Sequence, residues 1–185
     1  MQLIYHYINI VAFGGSSSKK SINKQLATYA ASFFEGANLQ ILDLNDYEMP
    51  IFSLDIEKKD DYPIQAINFV EQIGATDLLI ISLSEHNGSY SAAFKNIFDW
   101  ASRVATQTFQ QKPMLLMATS PGPRGGISVL DTAKVRFPFH GAKILGTFSL
   151  PEFNKNFDES LGITDPELLR KFEELIASAK VELSA

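Results

Sequence analysis

The stretch Val11 to Asn23, VAFGGSSSKKSIN, constrains this chain more than any other, because it runs an apolar strand directly into an anion-binding turn. Ile8, Ile10, Val11 and Phe13 supply β-branched and aromatic residues suited to a strand covered on both faces. Gly14 and Gly15 are expected to break that strand, since a missing Cβ lets backbone turn sharply and approach a ligand closely. Ser16, Ser17, Ser18 and Ser21 offer hydroxyls, Asn23 an amide, and Lys19 and Lys20 positive charge. A helical pattern opens at Ile22 and continues through Leu26, Tyr29 or Ala30, and Phe33. Helix N-termini carry unpaired N–H groups and partial positive charge, so this junction is a natural phosphate cradle. The competing reading is that the serines only cap the helix.

Two common phosphate loops fit poorly. The dinucleotide fingerprint G-x-G-x-x-G needs three spaced glycines, and only the adjacent pair Gly14–Gly15 is present. The triphosphate loop G-x-x-x-x-G-K-[ST] finds Gly14, Lys20 and Ser21 in place, but Lys19 stands where the second glycine must wrap phosphate. The apolar run near Ile80 continues into Ser82 and Ser84 rather than a magnesium-holding Asp. Hydroxyls, backbone N–H groups and a helix terminus without metal suit a cofactor's phosphate monoester better than a leaving group.

Bulk properties narrow the field. The 185 residues are 45% hydrophobic and 20% charged, enough for one globular domain spanning 1–185. A formal net charge of −5 gives no general attraction to nucleic acid or to an anionic membrane. The chain has no cysteine, which excludes disulfides, thiolate metal sites and cysteine nucleophiles. His6, His86 and His140 are scattered, which argues against a histidine-rich metal centre. MQLIYHYINIVAF lacks a basic leader and a small-residue cleavage site and is expected to flow into the first strand. No apolar run reaches the roughly 18 residues of a membrane span, so a cytoplasmic location is expected.

Strand and helix signals alternate along the chain. Further strands are expected at Leu39–Leu44, Asp77–Leu83, Pro113–Ala118 and Lys143–Phe148. Helices are expected after the first motif, over Pro63–Gly74, Ser91–Arg103, Ile127–Phe137 and Pro166–Lys180, the last burying Leu168, Leu169, Phe172, Leu175 and Ile176. Asn45–Tyr62 shows no period and reads as a long surface connection, with the acidic run Asp55–Asp61 a solvated loop. Right-handed crossovers then give one parallel sheet with helices on both faces. In the strand order 2-1-3-4-5, the loops Gly14–Asn23, Ser84–Ser89 and Ser120–Gly126 open on one edge and line one cleft.

GSSSKKSIN (Gly15–Asn23), SEHNGSYSAAFKNIFDW (Ser84–Trp100) and TSPGPRGG (Thr119–Gly126), in that order, resemble the NAD(P)H-dependent FMN reductase family of flavodoxin-like proteins. The resemblance spans about Ile8 to Leu150 and implies a three-layer α/β sandwich that binds FMN and uses NAD(P)H as cosubstrate. It maps the FMN phosphate onto Ser16, Ser18, Ser21, Ile22 and Asn23. The isoalloxazine ring maps along Ser84, Glu85, His86, Asn87 and Gly88, and the ring's pyrimidine end near Ser120 and Gly122. The activity implied is reduction of quinones, azo compounds or free flavin by a ping-pong mechanism, in a homodimer or homotetramer with small-molecule electron acceptors as its partners. No catalytic side chain is required, because hydride transfer belongs to the flavin and the protein supplies orientation and ring electronics. Where the family usually has an Arg at the phosphate, this chain has Ser18 beside Lys19, a point charge in place of a planar fork. Where the family often has Pro and Tyr, Ser84 and His86 stand.

Other readings compete for the same residues. His86 is a stacking or hydrogen-bonding residue more readily than a proton donor, and Glu85 meets a ligand, if at all, mainly through its backbone. Trp100 belongs to a core or an interface, and Arg124 is either a ligand contact or an exposed loop residue. At the level of the whole protein, two alternatives remain: a flavodoxin-type single-electron carrier that does not turn over NAD(P)H, or a flavin-free phosphate-binding regulatory module.

Overall fold

The computed structural model describes residues 8–183. The expectation that the segment 1–7 feeds the first strand lies outside the described residues. A five-stranded parallel sheet is built from β1 (Asn9–Gly15), β2 (Asn38–Leu42), β3 (Leu78–Leu83), β6 (Pro113–Thr119) and β7 (Lys143–Leu150). Two short antiparallel hairpins stand apart from it: β4 (Glu85–His86) with β5 (Ser89–Tyr90), and β8 (Phe157–Asp158) with β9 (Gly162–Ile163). The sheet order is β2-β1-β3-β6-β7, all parallel, which over the five sheet strands is the expected 2-1-3-4-5.

Period-two alternation sorts the strand side chains onto two cores. Val11 and Phe13 of β1, Leu79 and Ile81 of β3, and Leu116 of β6 face one core, covered by α3 (Ile64–Gly74), α4 (Ala92–Val104) and α5 (Ile127–Arg136). Ile10 and Ala12, Leu78 and Ile80, and Leu115 and Met117 face the other, covered by α1 (Ile22–Ser32) and α7 (Pro166–Leu183). The molecule is therefore a flavodoxin-like three-layer α/β sandwich. In α7, Phe172 and Ile176 are buried as expected, together with Ala179, whereas Leu168, Leu169 and Leu175 are only partly covered.

Several expectations need correction. Gly14 and Gly15 do not break β1; they continue it, paired with Ser82 and Leu83 of β3. The reason for glycine is close approach: a Cβ on Gly14 would collide with the backbone of Asn23 and Lys24 at the start of α1. Asn45–Tyr62 is not uniformly irregular. A 3-10 helix (Leu44–Tyr47) follows β2, with Asp43 as its cap, and α2 (Leu54–Asp60) occupies most of the acidic run. Ser53 caps α2, Asp55 and Glu57 sit in its first turn and Lys58 and Lys59 in its last, a charge order that matches the helix dipole. Trp100 is fully buried on α4 and donates from Nε1 to the carbonyl of Pro50 at 2.7 Å, which ties this connection to the body. A last short helix, α6 (Phe153–Asn156), precedes the second hairpin.

Candidate functional site

The carboxyl ends of β1, β3 and β6 meet on one edge, and the segments after them enclose a cleft of about 190 Å³. That volume is below the ~300–1,000 Å³ common for small-molecule pockets, so a larger ligand would lie partly across the open rim. Ser16, Ser18, Ser21, Ile22 and Asn23 line one end; Ser84, Glu85, His86 and Ser120 line the other. Asn87, Gly88 and Gly122, also expected here, do not line it. Lys20, Thr119 and Pro121 do, although the motif mapping did not single them out.

The anion end is shaped by local hydrogen bonds. Ser16 N–H donates to the Gly14 carbonyl at 2.7 Å, and Ser18 N–H donates to Ser16 Oγ at 3.1 Å, curling the loop. Ser21 is the N-cap of α1: its Oγ accepts from Lys24 N–H at 3.1 Å. That bond uses an acceptor site and leaves the Ser21 hydroxyl proton to donate elsewhere. The N–H groups of Ile22 and Asn23, in the first turn, have no intrahelical acceptor and point out of the helix start.

Asn23 has a different place from the one the motif suggests for its side chain. It is 2% exposed, and its amide is fully used inside the protein. Nδ2 donates to Ser84 Oγ at 3.0 Å and to the Thr119 carbonyl at 3.1 Å. Oδ1 accepts from Ser82 Oγ at 2.7 Å and from Thr119 N–H at 3.0 Å. One side chain on α1 thus fastens the ends of β3 and β6, and only its backbone N–H is left for an anion.

At the other end, Ser84 leads into the β4–β5 hairpin, whose two-residue turn is Asn87–Gly88 with φ of 52° and 76°. An Asn-Gly pair with both φ positive favours a tight hairpin, a signal present in EHNGSY although the expectation for Ser84–Ser89 is only a loop. Asn87 and Gly88 therefore form the hairpin tip, while exposed His86 and half-buried Glu85 stand at its base beside the cleft. The Glu85 carboxylate serves the scaffold: Oε2 accepts from Ser128 N–H at 2.8 Å and Val129 N–H at 3.1 Å. It caps α5, whose N-cap, Gly126, brings no side chain of its own. Ser91 caps α4 and donates to the Gly15 carbonyl at 2.7 Å, joining the hairpin's exit to the end of β1.

Ser120 and Gly122 close the third loop on itself. The Gly122 carbonyl accepts from Gly125 N–H at 3.3 Å and Glu152 N–H at 2.9 Å, and lies 3.3 Å from Ser120 Oγ. Arg124 bonds Ser128 Oγ at 3.0 Å and lines a separate groove with Thr147 and Lys171, away from the cleft. Among the described residues no group of His, Asp or Glu side chains is placed to hold a metal ion, and no helix is long and apolar enough to cross a membrane.

The residues present fit a flavin mononucleotide. Hydroxyls, first-turn N–H groups and Lys20 form an anion end that holds no carboxylate, because the one acidic residue of the cleft, Glu85, is bonded to α5. A polar hairpin base and the Ser120–Pro121 loop flank the other end, where a flat ring can be held edge-on by backbone groups.

A parallel α/β sandwich of this strand order, with a hydroxyl- and N–H-lined cleft at the carboxyl ends of β1, β3 and β6, defines the flavodoxin-like class. The chain belongs to the NADPH-dependent FMN reductase family, whose model matches residues 8–155. A Mycoplasma pneumoniae protein described as the uncharacterized MG342 homolog is 28% identical over 159 residues, covering 83% of this chain and 93% of its own length. The quinone reductase of Escherichia coli K12 is 28% identical over 120 residues, 64% of this chain. This chain spans 63% of that relative's length. The flavoenzyme NAD(P)H:(acceptor) oxidoreductase FerB from Paracoccus denitrificans shares the fold, with a TM-score of 0.75 at 20% identity, covering 96% of this chain and 97% of its own.

Proposed function

We propose that the chain is an FMN-dependent reductase that takes hydride from NAD(P)H and passes electrons to quinones, azo compounds or free flavin. The observation that carries this reading is the convergence of three strand-end segments, Ser16–Asn23, Ser84–His86 and Thr119–Pro121, on one cleft with a cationic, hydroxyl-rich end. Bound FMN would supply the hydride-accepting ring. Ser16, Ser18, Ser21, Lys20 and the N–H groups of Ile22 and Asn23 would hold its phosphate, with the positive end of α1 adding to the attraction. Hairpin residues Ser84 to His86 would lie along the ring, and Ser120 with its neighbouring backbone would meet the pyrimidine edge. Backbone N–H groups there favour negative charge on a reduced ring, as an oxyanion hole favours a developing oxyanion. A cleft of about 190 Å³ would cover only part of a bound flavin, so donor and acceptor would meet the uncovered ring in turn, a ping-pong order.

The test is direct. Purified protein incubated with FMN should retain it through gel filtration with a visible flavin spectrum. NADPH should bleach that spectrum anaerobically and a benzoquinone should restore it, with parallel double-reciprocal plots. Protein that retains no flavin refutes the reading. Flavin retained without NAD(P)H oxidation would instead make the chain a single-electron carrier.

A further inference from the structure

Tyr90 Oη is the single buried side-chain polar atom that has no hydrogen-bond partner among the described residues. Tyr90 ends the β4–β5 hairpin and pairs across it with Glu85, which lines the ring end of the cleft. Its ring is well packed: it stacks on Phe137, with centroids 6.0 Å apart and planes at 7°, and lies 5.6 Å from Phe94. Burial pushes the hydroxyl's pKa up to about 12, against the opposing charge of Arg136, so it stays protonated near neutral pH. Buried tyrosine hydroxyls ordinarily find a partner, because an unmade hydrogen bond keeps the whole desolvation cost.

The hairpin that carries this hydroxyl is short, with two residue pairs, and His86 to Ser89 are exposed. Its flanks are fixed: Glu85 by accepting from Ser128 and Val129 N–H, Ser91 by donating to the Gly15 carbonyl. Between these anchors the ring of Tyr90 is the hairpin's apolar hold on the body, and its hydroxyl works against that hold. The cleft supplies a second observation. At about 190 Å³ it falls short of the ~300–1,000 Å³ of common ligand pockets, so a nucleotide seats more of itself there only if a wall gives way. Asn23 fastens the ends of β3 and β6 to α1, which leaves the hairpin as the wall free to move.

We infer that the hairpin is a gate: residues 86–90 swing outward to admit the cofactor and close again beside it, and the Tyr90 hydroxyl, hydrated only in the open position, sets how often the gate opens. The inference rests on the reading of the cleft as the FMN site, but the opening belongs to the free protein as well. The stranded hydroxyl raises the energy of both closed positions, empty and loaded, relative to the open one. Removing it therefore slows cofactor entry and exit together and leaves the affinity nearly unchanged.

Tyr90→Phe keeps the ring and removes the hydroxyl. In flavin-free protein, amide hydrogen exchange across residues 85–90 should slow by about fivefold or more, the lower end of what an unmade buried hydrogen bond is worth. Amides of the β8–β9 hairpin should keep their rates, and the thermal midpoint should not fall. In stopped-flow mixing, FMN association and dissociation should slow by the same factor, with the Kd nearly unmoved. Unchanged exchange in the hairpin overturns the gate, and a lowered midpoint overturns it by showing that the hydroxyl has a partner. A Kd that shifts through one rate alone also overturns it, since that is the mark of a direct ligand contact. If the protein holds no flavin the functional reading fails, while the exchange measurement still decides whether the hairpin opens against this hydroxyl.

Discussion

Asn23 and Thr119 exchange two hydrogen bonds through a single side chain, Nδ2 donating to the Thr119 carbonyl at 3.1 Å and Oδ1 accepting from its N–H at 3.0 Å. An amide side chain here takes the place of a neighbouring strand at the end of β6. The same amide reaches Ser82 and Ser84 at the end of β3, so the positions of two cleft walls depend on one residue of α1.

Asn23→Ala should therefore cost both stability and cofactor affinity. It strands the Thr119 N–H and carbonyl in a site where Asn23 is only 2% exposed, and unpaired buried polar groups cost about 1–3 kcal/mol each. Water entering the vacated space recovers part of that, so about 2–4 kcal/mol is expected in urea denaturation. Asn23→Asp is the sharper variant: it keeps the acceptor for Thr119 N–H and can accept from a rotated Ser84 hydroxyl, but it sets a carboxylate oxygen against the Thr119 carbonyl and buries a charge. It should be no more stable than the alanine variant at neutral pH.

Glu85 provides a second test of what the motif residues do. Its carboxylate caps α5 rather than facing the cleft, so Glu85→Gln, which keeps an acceptor oxygen, should lose less than Glu85→Ala. The alanine loss should be about 1 kcal/mol, the usual worth of a cap. If Glu85 instead touched the cofactor through its charge, Glu85→Gln and Glu85→Ala would weaken FMN binding equally while leaving the thermal midpoint unmoved.

The sheet order was legible because strand alternation and crossover handedness leave few topologies. Ile10 to Phe13 and Leu78 to Leu83 read as doubly covered strands and are so. What local patterns cannot supply is partnership across the chain. Asn23 and Thr119 are separated by 96 residues, and Glu85 and Ser128 by 43, so their mutual use was invisible until the sheet brought them together. The resemblance marked Asn23 and Glu85 as important, but their side chains serve the scaffold of the cleft. The α2 helix was hidden for a different reason: seven residues are too few for an amphipathic period to show, although Ser53 and the acid-to-base order around it signal a helix.

Asp43 ties α1 to the connection after β2. Its carboxyl pairs with Lys24 and accepts from Asn45 N–H at 2.9 Å, and the lysine above all holds its pKa down at about 2, against an ordinary 3.8. A depressed carboxylate contributes stability that is present above the unfolded pKa and is lost as pH falls through the folded one. The contribution should therefore disappear between about pH 4 and pH 2. Both partners are a third exposed, so solvent screening reduces the expected worth to about 1 kcal/mol. Wild type and Asp43→Asn should differ by that amount in urea denaturation at pH 7 and converge at pH 2.

The connection between the 3-10 helix and α3 presents Ile51 at 83%, Leu54 at 56% and Ile64 at 60% exposure, anchored from beneath by Trp100 and by the Arg103–Glu57 ion pair. Exposed apolar side chains on one tethered segment favour self-association. We expect the protein to run as a homodimer or homotetramer, and Ile51→Asp with Ile64→Lys to reduce its mass in light scattering without lowering its thermal midpoint measured at low concentration. An unaltered mass would move the contact surface elsewhere.

His140 gives the acid limb a second component at higher pH. Its ring packs edge-on to Phe98 at 4.7 Å, with Nδ1 3.0 Å from the Thr106 carbonyl. Burial pushes its pKa below the ordinary histidine value, and the nearby Arg136 charge adds to the shift, against the Thr106 bond, which opposes it. A histidine kept neutral in the folded state binds its proton more readily once unfolded. Its contribution is therefore complete above the unfolded pKa, near ~6.5, and is lost as pH falls toward the folded one. His140→Phe keeps an aromatic ring against Phe98 but leaves the Thr106 carbonyl without its partner, so at pH 7.5 it should be less stable by about 1 kcal/mol. Between pH 7.5 and pH 5 the wild-type urea midpoint should fall faster than that of the variant, narrowing the gap between them. Parallel midpoint curves over that interval would mean that His140 binds its proton equally well in the folded and unfolded chain.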